Sequence, residues 1–425
     1  MQSTLPARRR PRASLPPAVW GPADQACVLI INSGSSSIRF AIYAVAADPV
    51  RRLSGKIDRI GLQRTTLTVD AAPGVAPVSR RIRARGHEPA VSVLLDWLEA
   101  QPHFAAIAAV GHRVVHGMQH SAPERITPRL LAELRRLTPY DPDHLPHEIG
   151  LIEAFGRRHP HLAQVACFDT AFHRSLPPVA RLLPLPRRYT ARGVERYGFH
   201  GLSYEYLLGE LRRVDPAAAR GRVILAHLGN GASLAALRHG RSVDTSMGFT
   251  PASGLVMSTR TGDLDPGLAY FLARTHGMTA AQFQQMVNHE AGLLGISGTS
   301  SDLRDLLARE AGDPRAAAAV ALFCYQARKW IGAYAAVLGG LDTLVLAGGI
   351  GEHAPVIRAR ICAGLDFLGL RLHPARNRGN APVISRPHGR VTVRVMRTDE
   401  ELMIARAMVR VLGARPTGAL RPLVG

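Results

Sequence analysis

Lysine is almost absent from this 425-residue chain: Lys56 and Lys329 are the only two, so 51 of the 53 basic residues are arginine. Acidic residues are also few, Asp and Glu together numbering 32, which leaves a formal charge of +21. Such an excess can attract a polyanion. Its distribution argues against a dedicated nucleic-acid surface, because residues 1–25 hold four Arg and one Asp, residues 408–425 hold three Arg, and the remainder is spread along the body. Aromatic residues make up 5%, and the alternating Arg81, Arg83 and Arg85 have none interleaved on which bases could stack. The arginine skew therefore reads as residue bias, with no specific nucleic-acid partner.

Cysteine is scarce too. Cys27, Cys167, Cys324 and Cys362 are far apart, with no CxxC pair and no histidine at zinc-finger spacing, so they read as buried free thiols in a reducing cytoplasm. The longest apolar stretches, residues 316–325 and 330–341, are shorter than the roughly 20 residues that span a bilayer. Residues 1–25, rich in Arg and Pro, lack the apolar core of a signal peptide and read as a disordered extension, with residues 413–425 as a disordered tail. No GxxxxGK[ST] phosphate loop occurs, and no period of 20 to 50 residues marks a solenoid.

What is present is α/β punctuation. The apolar run at residues 27–31 leads through Asn32-Ser33-Gly34-Ser35-Ser36-Ser37 into IRFAIYAV, a strand, tight turn and strand. About 195 residues later VILAHL, the turn GNGAS and LAALRHGRSV repeat that design. Two such hairpins imply a duplicated domain with both turns facing one cleft. Each turn can be a plain polar hairpin or a cradle of N–H and hydroxyl donors for phosphate, and the pairing favours the cradle. Residues 68–85 suggest a further hairpin. Residues 89–98, 128–137, 315–338, 354–365 and 400–412 have helical spacing, the last opened by the Thr398-Asp399-Glu400 cap signal. The sequence Gly348-Gly349-Ile350-Gly351-Glu352-His353, after a strand at 341–347, can be scanned as a dinucleotide fingerprint, but its late position fits a platform for a nucleotide's base and ribose better.

Arg, His and Asp gather in GHRVVHG (111–117), FDTAFH (168–173), RYGFHG (196–201) and TRTGDLDPG (259–267). They are suited to phosphoryl transfer, in which a protein mainly positions reactants and offsets spreading charge. With LIINSGSSSIRF, HLGNGAS, DTSMGFTP, GISGTSSDLRD, AGGIGEH and TDEELMIAR in order, the chain resembles the acetate kinase family over roughly residues 27–410. The resemblance implies an α/β protein of two duplicated RNase H-like (actin-like ATPase) domains around a nucleotide cleft. Residues 26–170 would form the acyl-substrate domain, completed by a helix at 398–412, and 171–397 the nucleotide domain.

It implies transfer of the ATP γ-phosphoryl to acetate, or alternatively to propionate or another short carboxylate or from a pyrophosphate donor. The partners are a small carboxylate and ATP, with no membrane and a homodimer in the cytoplasm. Carried over by position, Asp169, His200 and Arg260 are catalytic, and Arg113 grips the carboxylate. Val115, Phe199 and Pro251 line the acyl pocket. Ser35, Ser37, Arg39, His227, Leu228, Gly229, Asn230, Gly231, Asp302, Leu303, Arg304, Gly349, Ile350, Gly351, Glu352 and His353 surround the nucleotide. Asn32 and Glu400 hold Mg²⁺, for which Mn²⁺ can substitute. Three positions depart from the family pattern: Arg39 replaces Lys, His353 replaces Asn, and Asp143 stands where a Leu usually closes the acyl pocket.

Overall fold

The computed structural model describes residues 25–34, 36–61, 64–70 and 77–413. Ser35 and nearly all of both terminal segments lie outside these, so the readings made of them are not addressed. Within the described residues thirteen strands form two mixed sheets. The first is built from β1 (Cys27–Ser33), β2 (Ser37–Ala44), β3 (Val50–Asp58), β4 (Thr66–Asp70), β5 (Val78–Arg81), β6 (Ile107–Val114), β7 (Glu124–Arg125) and β8 (Ala163–Phe168), in the order β5-β4-β3-β2-β1-β6-β8-β7. The second contains β9 (Arg222–Leu228), β10 (Ala232–Arg238), β11 (Arg241–Thr245), β12 (Thr343–Ala347) and β13 (Thr392–Val395), ordered β11-β10-β9-β12-β13.

The two orders contain the same motif. In each, three antiparallel strands form a meander whose first strand, β1 or β9, continues in parallel with two later strands. The parallel strands are almost continuous apolar runs because helices cover both faces; β1 is buried at every residue. The expected hairpins are therefore β1–β2 and β9–β10, and residues 68–85 contribute to the β4–β5 pair. The GGIGEH segment, Gly348–His353, is itself a short helix running directly from β12. Gly348, at φ 76°, lies against the Leu228 carbonyl, so only glycine lets β12 turn there beside the end of β9.

Each sheet carries apolar layers on its two faces. Helices His87–Glu99 and Leu145–Arg158 cover one face of the first sheet. The other receives the C-terminal helix Glu400–Leu412, whose Met403, Ile404, Ala407 and Met408 pack on Val28, Ile30 and Ala109. Asp399 caps this helix by accepting from Leu402 N at 2.9 Å. Helix Gly201–Val214 covers one face of the second sheet and the long helix Pro314–Leu338 the other. All four cysteines are buried and unpaired, and burial raises Cys167 and Cys362 to about 12, leaving inert thiols. No helix among the described residues is long and apolar enough to cross a membrane.

Helix Glu400–Leu412 thus returns to β1, the first strand of the described residues. Ile404 is fully buried against the first sheet. Ile404→Ala should lower unfolding free energy by about 2–5 kcal/mol, through lost burial and the cavity left behind. Urea denaturation will measure it, and an unchanged midpoint would show that this helix is not part of the cooperative core.

Candidate active site

The strand ends of the two sheets meet around one buried carboxylate. Asp169 immediately follows β8 and is completely buried. Its Oδ2 accepts from Arg113 Nη2 at 2.6 Å and Nε at 3.2 Å, Arg113 lying near the end of the adjacent strand β6. It also accepts from His200 N (3.2 Å, Oδ2) and Leu202 N (3.3 Å, Oδ1), while the Asp169 carbonyl accepts from Gly201 N at 2.9 Å. A Cβ at Gly201 would collide with that carbonyl, so glycine is required at this approach. His200 is consequently held at φ 59°, a left-handed conformation that costs a non-glycine residue energy and persists only where its surroundings enforce it.

His200 Nδ1 lies 2.8 Å from Ser233 Oγ, which lies 2.5 Å from Tyr204 Oη. The His200 ring stacks on His227, with centroids 4.3 Å apart. His227 Nδ1 in turn meets Ser203 Oγ at 2.8 Å, and Ser203 meets Thr398 Oγ1 at 2.8 Å. Burial pushes the His200 pKa well below its usual value, and the fields of His227, Arg113 and Arg260 act in the same direction. The ring is therefore neutral at pH 7. Burial alone would make Arg113 less basic, but Asp169, Glu400 and Glu148 outweigh it and raise its pKa. Arg260 is the reverse case: burial lowers its pKa, Arg113 adds to the effect, and Asp141 and Asp143 oppose it.

Several other expected residues converge here. Gly231 faces the pair, since a Cβ there would sit 3.1 Å from His200 Nε2 and 3.9 Å from Arg260 Nη1. Asn230 O accepts from Ser258 N at 3.2 Å, tying the GNG turn to the TRTGD segment. Val115 and Phe199 are buried in one cluster with Leu228 and Leu303, and buried Pro251 accepts from Arg260 Nη1 at 3.3 Å. Glu352 Oε1 accepts from Gly348 N at 3.1 Å and Thr398 N at 3.4 Å, joining the GGIGEH helix to the chain that leads into the C-terminal helix. Gly349, Ile350 and Gly351 lie on that helix, which packs against β9. Asn32 Nδ2 donates to Glu400 Oε2 at 2.9 Å and Glu401 Oε1 at 3.2 Å.

Other residues are less engaged. Ser37 and Arg39 stand at the start of β2, where Arg39 pairs across the sheet with Asn32. Asp302 and Arg304 form a surface ion pair with each other at 2.6 Å, and the His353 side chain is exposed. Among the described residues no group of three or more His, Cys, Asp or Glu is arranged as a metal cage.

The sequence reading overlooked Ser233, Tyr204, Ser203 and Thr398. Their available signal was position: Ser203 and Tyr204 occupy the first turn after His200, and Ser233 closes HLGNGAS. It also missed Glu148, which is 2% exposed and accepts from Val115 N at 3.1 Å beneath the expected acyl pocket.

The profile of the Acetokinase family matches residues 27–406. An acetate kinase of Rhodopseudomonas palustris (strain TIE-1) is 44% identical over 390 residues, covering 90% of this chain and 98% of its own. A propionate kinase of Citrobacter rodentium is 43% identical, over 92% of this chain and 98% of its own. The crystal structure of Porphyromonas gingivalis acetate kinase superposes with a TM-score of 0.80 at 36% identity, covering 91% of this chain and all of that one. The fold is thus the duplicated α/β architecture of actin-like ATPases and of carboxylate kinases. The chain belongs to the acetokinase family, phosphotransferases with a carboxyl group as acceptor.

Four buried histidines make stability depend on pH. Burial pushes His112, His116 and His173 down to about 4, and His200 falls well below its usual value. Below about pH 6.5 the unfolded chain takes up protons that these folded rings refuse. Stability should therefore be greatest above pH 6.5 and decline toward pH 4, by up to about 1.4 kcal/mol per pH unit for each ring. Urea midpoints at pH 7.5, 6 and 5 test this, and a midpoint independent of pH would contradict it.

Proposed function

We propose that the chain reversibly transfers the γ-phosphoryl group of ATP to acetate, forming acetyl phosphate and ADP. The observation that carries this reading is the convergence of two guanidinium groups, Arg113 and Arg260, on one neutral imidazole, His200, where the two sheets meet. In the forward direction an acetate oxygen attacks the γ-phosphorus, and the bond from that phosphorus to the oxygen bridging to ADP breaks. The carboxylate is ionised at pH 7 and needs no base. Asp169, enclosed by Arg113 and two backbone N–H groups, orients Arg113 and does not abstract a proton.

Arg260 binds the phosphoryl in flight, and Arg113 receives the carboxylate through Nη1, whose present contact with Ser33 O is a long 3.4 Å. The Tyr204–Ser233 chain donates into His200 Nδ1, leaving the ring proton on Nε2, the atom against Gly231, from which it stabilises the equatorial oxygens. Val115, Phe199 and Pro251 accommodate the methyl group. Ser37, Arg39, residues 227–231, residues 302–304 and residues 349–353 form the nucleotide side. Residues 26–170 with the helix at 398–412 are the acyl domain, and 171–397 the nucleotide domain.

Asn32 and Glu400 suit Mg²⁺. Two carboxylates, Glu400 and Glu401, crowd one amide, and Glu401 is raised by burial and then by Glu400, so a cation would relieve both. Mg²⁺ keeps several waters and takes one or two carboxylates with substrate phosphates, so a complete protein cage is not needed; Mn²⁺ shares these oxygen donors. When bound, the ion neutralises charge on the β- and γ-phosphates.

With ATP, Mg²⁺ and hydroxylamine, acetate should yield acetohydroxamate with a higher kcat/KM than propionate or butyrate. No hydroxamate from any of the three would overturn the proposal. Arg260→Ala and His200→Ala should each lower kcat by about 10²-fold or more, with circular dichroism unchanged.

A second copy of the chain is the partner inferred for helix Gly267–His276, which buries no residue and leaves Tyr270 72% and Phe271 52% exposed. Exposed aromatics on one helix mark an association surface. Light scattering should give a dimer for the native chain and a monomer for Phe271→Asp; a monomeric native protein would exclude this pairing. The buried thiols and the lack of a spanning helix among the described residues are compatible with a cytoplasmic enzyme.

A further inference from the structure

Asp141 and His144 precede helix Leu145–Arg158 and have no role in the chemistry above, yet they are only 3% and 8% exposed. His144 Nδ1 lies 2.8 Å from Asp141 Oδ1, and its Nε2 lies 3.2 Å from Arg260 Nη2. The partners dictate the proton's place. A guanidinium can only donate, so Nε2 carries a lone pair and accepts; an ionised carboxylate can only accept, so Nδ1 carries the hydrogen and donates. His144 is therefore a neutral relay between an acid and the Arg260 guanidinium.

The relay matters because Arg260 has no carboxylate at ion-pair distance among the described residues. Its guanidinium's other hydrogen bond among the described residues goes to the Pro251 carbonyl at 3.3 Å. A carboxylate placed directly on Arg260 would orient it, but would also neutralise the charge needed by an anion. An interposed imidazole provides orientation and leaves the charge available. The nearby Asp143 carboxylate, which also acts on Arg260 through its field, is drawn to His289 Nε2 at 3.4 Å. The backbone is fixed from the opposite side: Gly292, at φ 61°, packs so closely under Met257 and Arg260 that no Cβ fits. We propose that Asp141 and His144 are positioning residues that hold the Arg260 guanidinium in the orientation required for phosphoryl transfer without neutralising it. This rests on the reading of Arg260 given under the proposed function.

Three substitutions separate positioning from simple packing. His144→Gln can place an amide oxygen near the position of Nε2 and accept from Arg260, whereas His144→Asn reaches only toward Asp141, and His144→Ala does neither. With saturating acetate and ATP, the Asn and Ala variants should lose about ten- to a hundredfold in kcat, the worth of a hydrogen bond to a charged group. Their KM for ATP should stay within about twofold, and the Gln variant should recover most of the rate. Native kcat in His144→Asn, or a Gln variant as impaired as the Asn variant, would overturn the assignment.

Nitrogen-15 NMR of the native protein near pH 7 gives a readout independent of turnover and of variant folding. It should show His144 as the neutral, Nδ1-protonated tautomer. A cation or an Nε2-protonated ring overturns the relay even if turnover is normal. A native enzyme that forms no hydroxamate refutes the proposed function and leaves the tautomer result to decide the relay.

Discussion

The structure depends on the solvation of one carboxylate. Asp169 has no access to water, and an isolated charge so placed would be destabilising by several kcal/mol. It is tolerated because a bidentate arginine from the neighbouring strand and two backbone N–H groups from the start of a helix enclose it. Those four donors belong to segments that must all be correctly placed. β6 must lie beside β8 to deliver Arg113, and the chain must turn through His200 and Gly201 to aim its amides. The left-handed backbone of His200 and the exclusion of any side chain at position 201 both follow from that enclosure. So does the location of the imidazole, since the residue whose backbone caps Asp169 carries its ring toward Ser233 and His227. Folding and site assembly are here the same event: satisfying the carboxylate brings Arg113 and His200 together.

The parts legible in the sequence were those whose signal is local. The paired hairpins could be read because strand, small-residue turn and strand repeat at Asn32–Ser37 and at Gly229–Gly231, and the helix at 128–137 could be read from its apolar spacing. Sheet order was not local. Nothing near Ile107 or Thr343 announces that it begins a strand parallel to β1 or β9, because that pairing is decided by distant partners. The contact of Asn32 with Glu400 spans nearly the whole chain, and the motifs suggested it only through resemblance.

Arg358 shows the same limit more sharply. It is fully buried without an acidic partner among the described residues, and its donors reach Gly351 O, Glu352 O, Asn377 Oδ1 and O, and Asn380 Oδ1. Most of these are backbone carbonyls whose positions no residue type encodes. In a chain holding 51 arginines, an arginine clamping the end of the GGIGEH helix looked like any other. Asp143 was legible as a departure from the family pattern, but the role of its neighbours Asp141 and His144 emerges only from atoms that must donate or accept.

Charge in the cleft is sorted by partner more than by residue type. Arg113 is matched by Asp169, His200 is kept uncharged by burial and by its cationic neighbours, and Arg260 has no acid at ion-pair distance among the described residues, Asp141 and Asp143 acting on it only through their fields. Glu400 and Glu401 both accept from Asn32, so acids gather around that amide while the guanidinium groups gather around His200. Burial works against the charge on Arg260, and under the proposed function that opposition serves the binding of an anion. A guanidinium already satisfied by an acid has little to gain from a phosphoryl group, whereas one held in place by neutral atoms gains most when negative charge arrives. The same consideration separates Arg260 from the +21 of the whole chain: charge on the exposed surface is screened by water and salt, whereas a partly buried guanidinium with no acid directly on it is screened less.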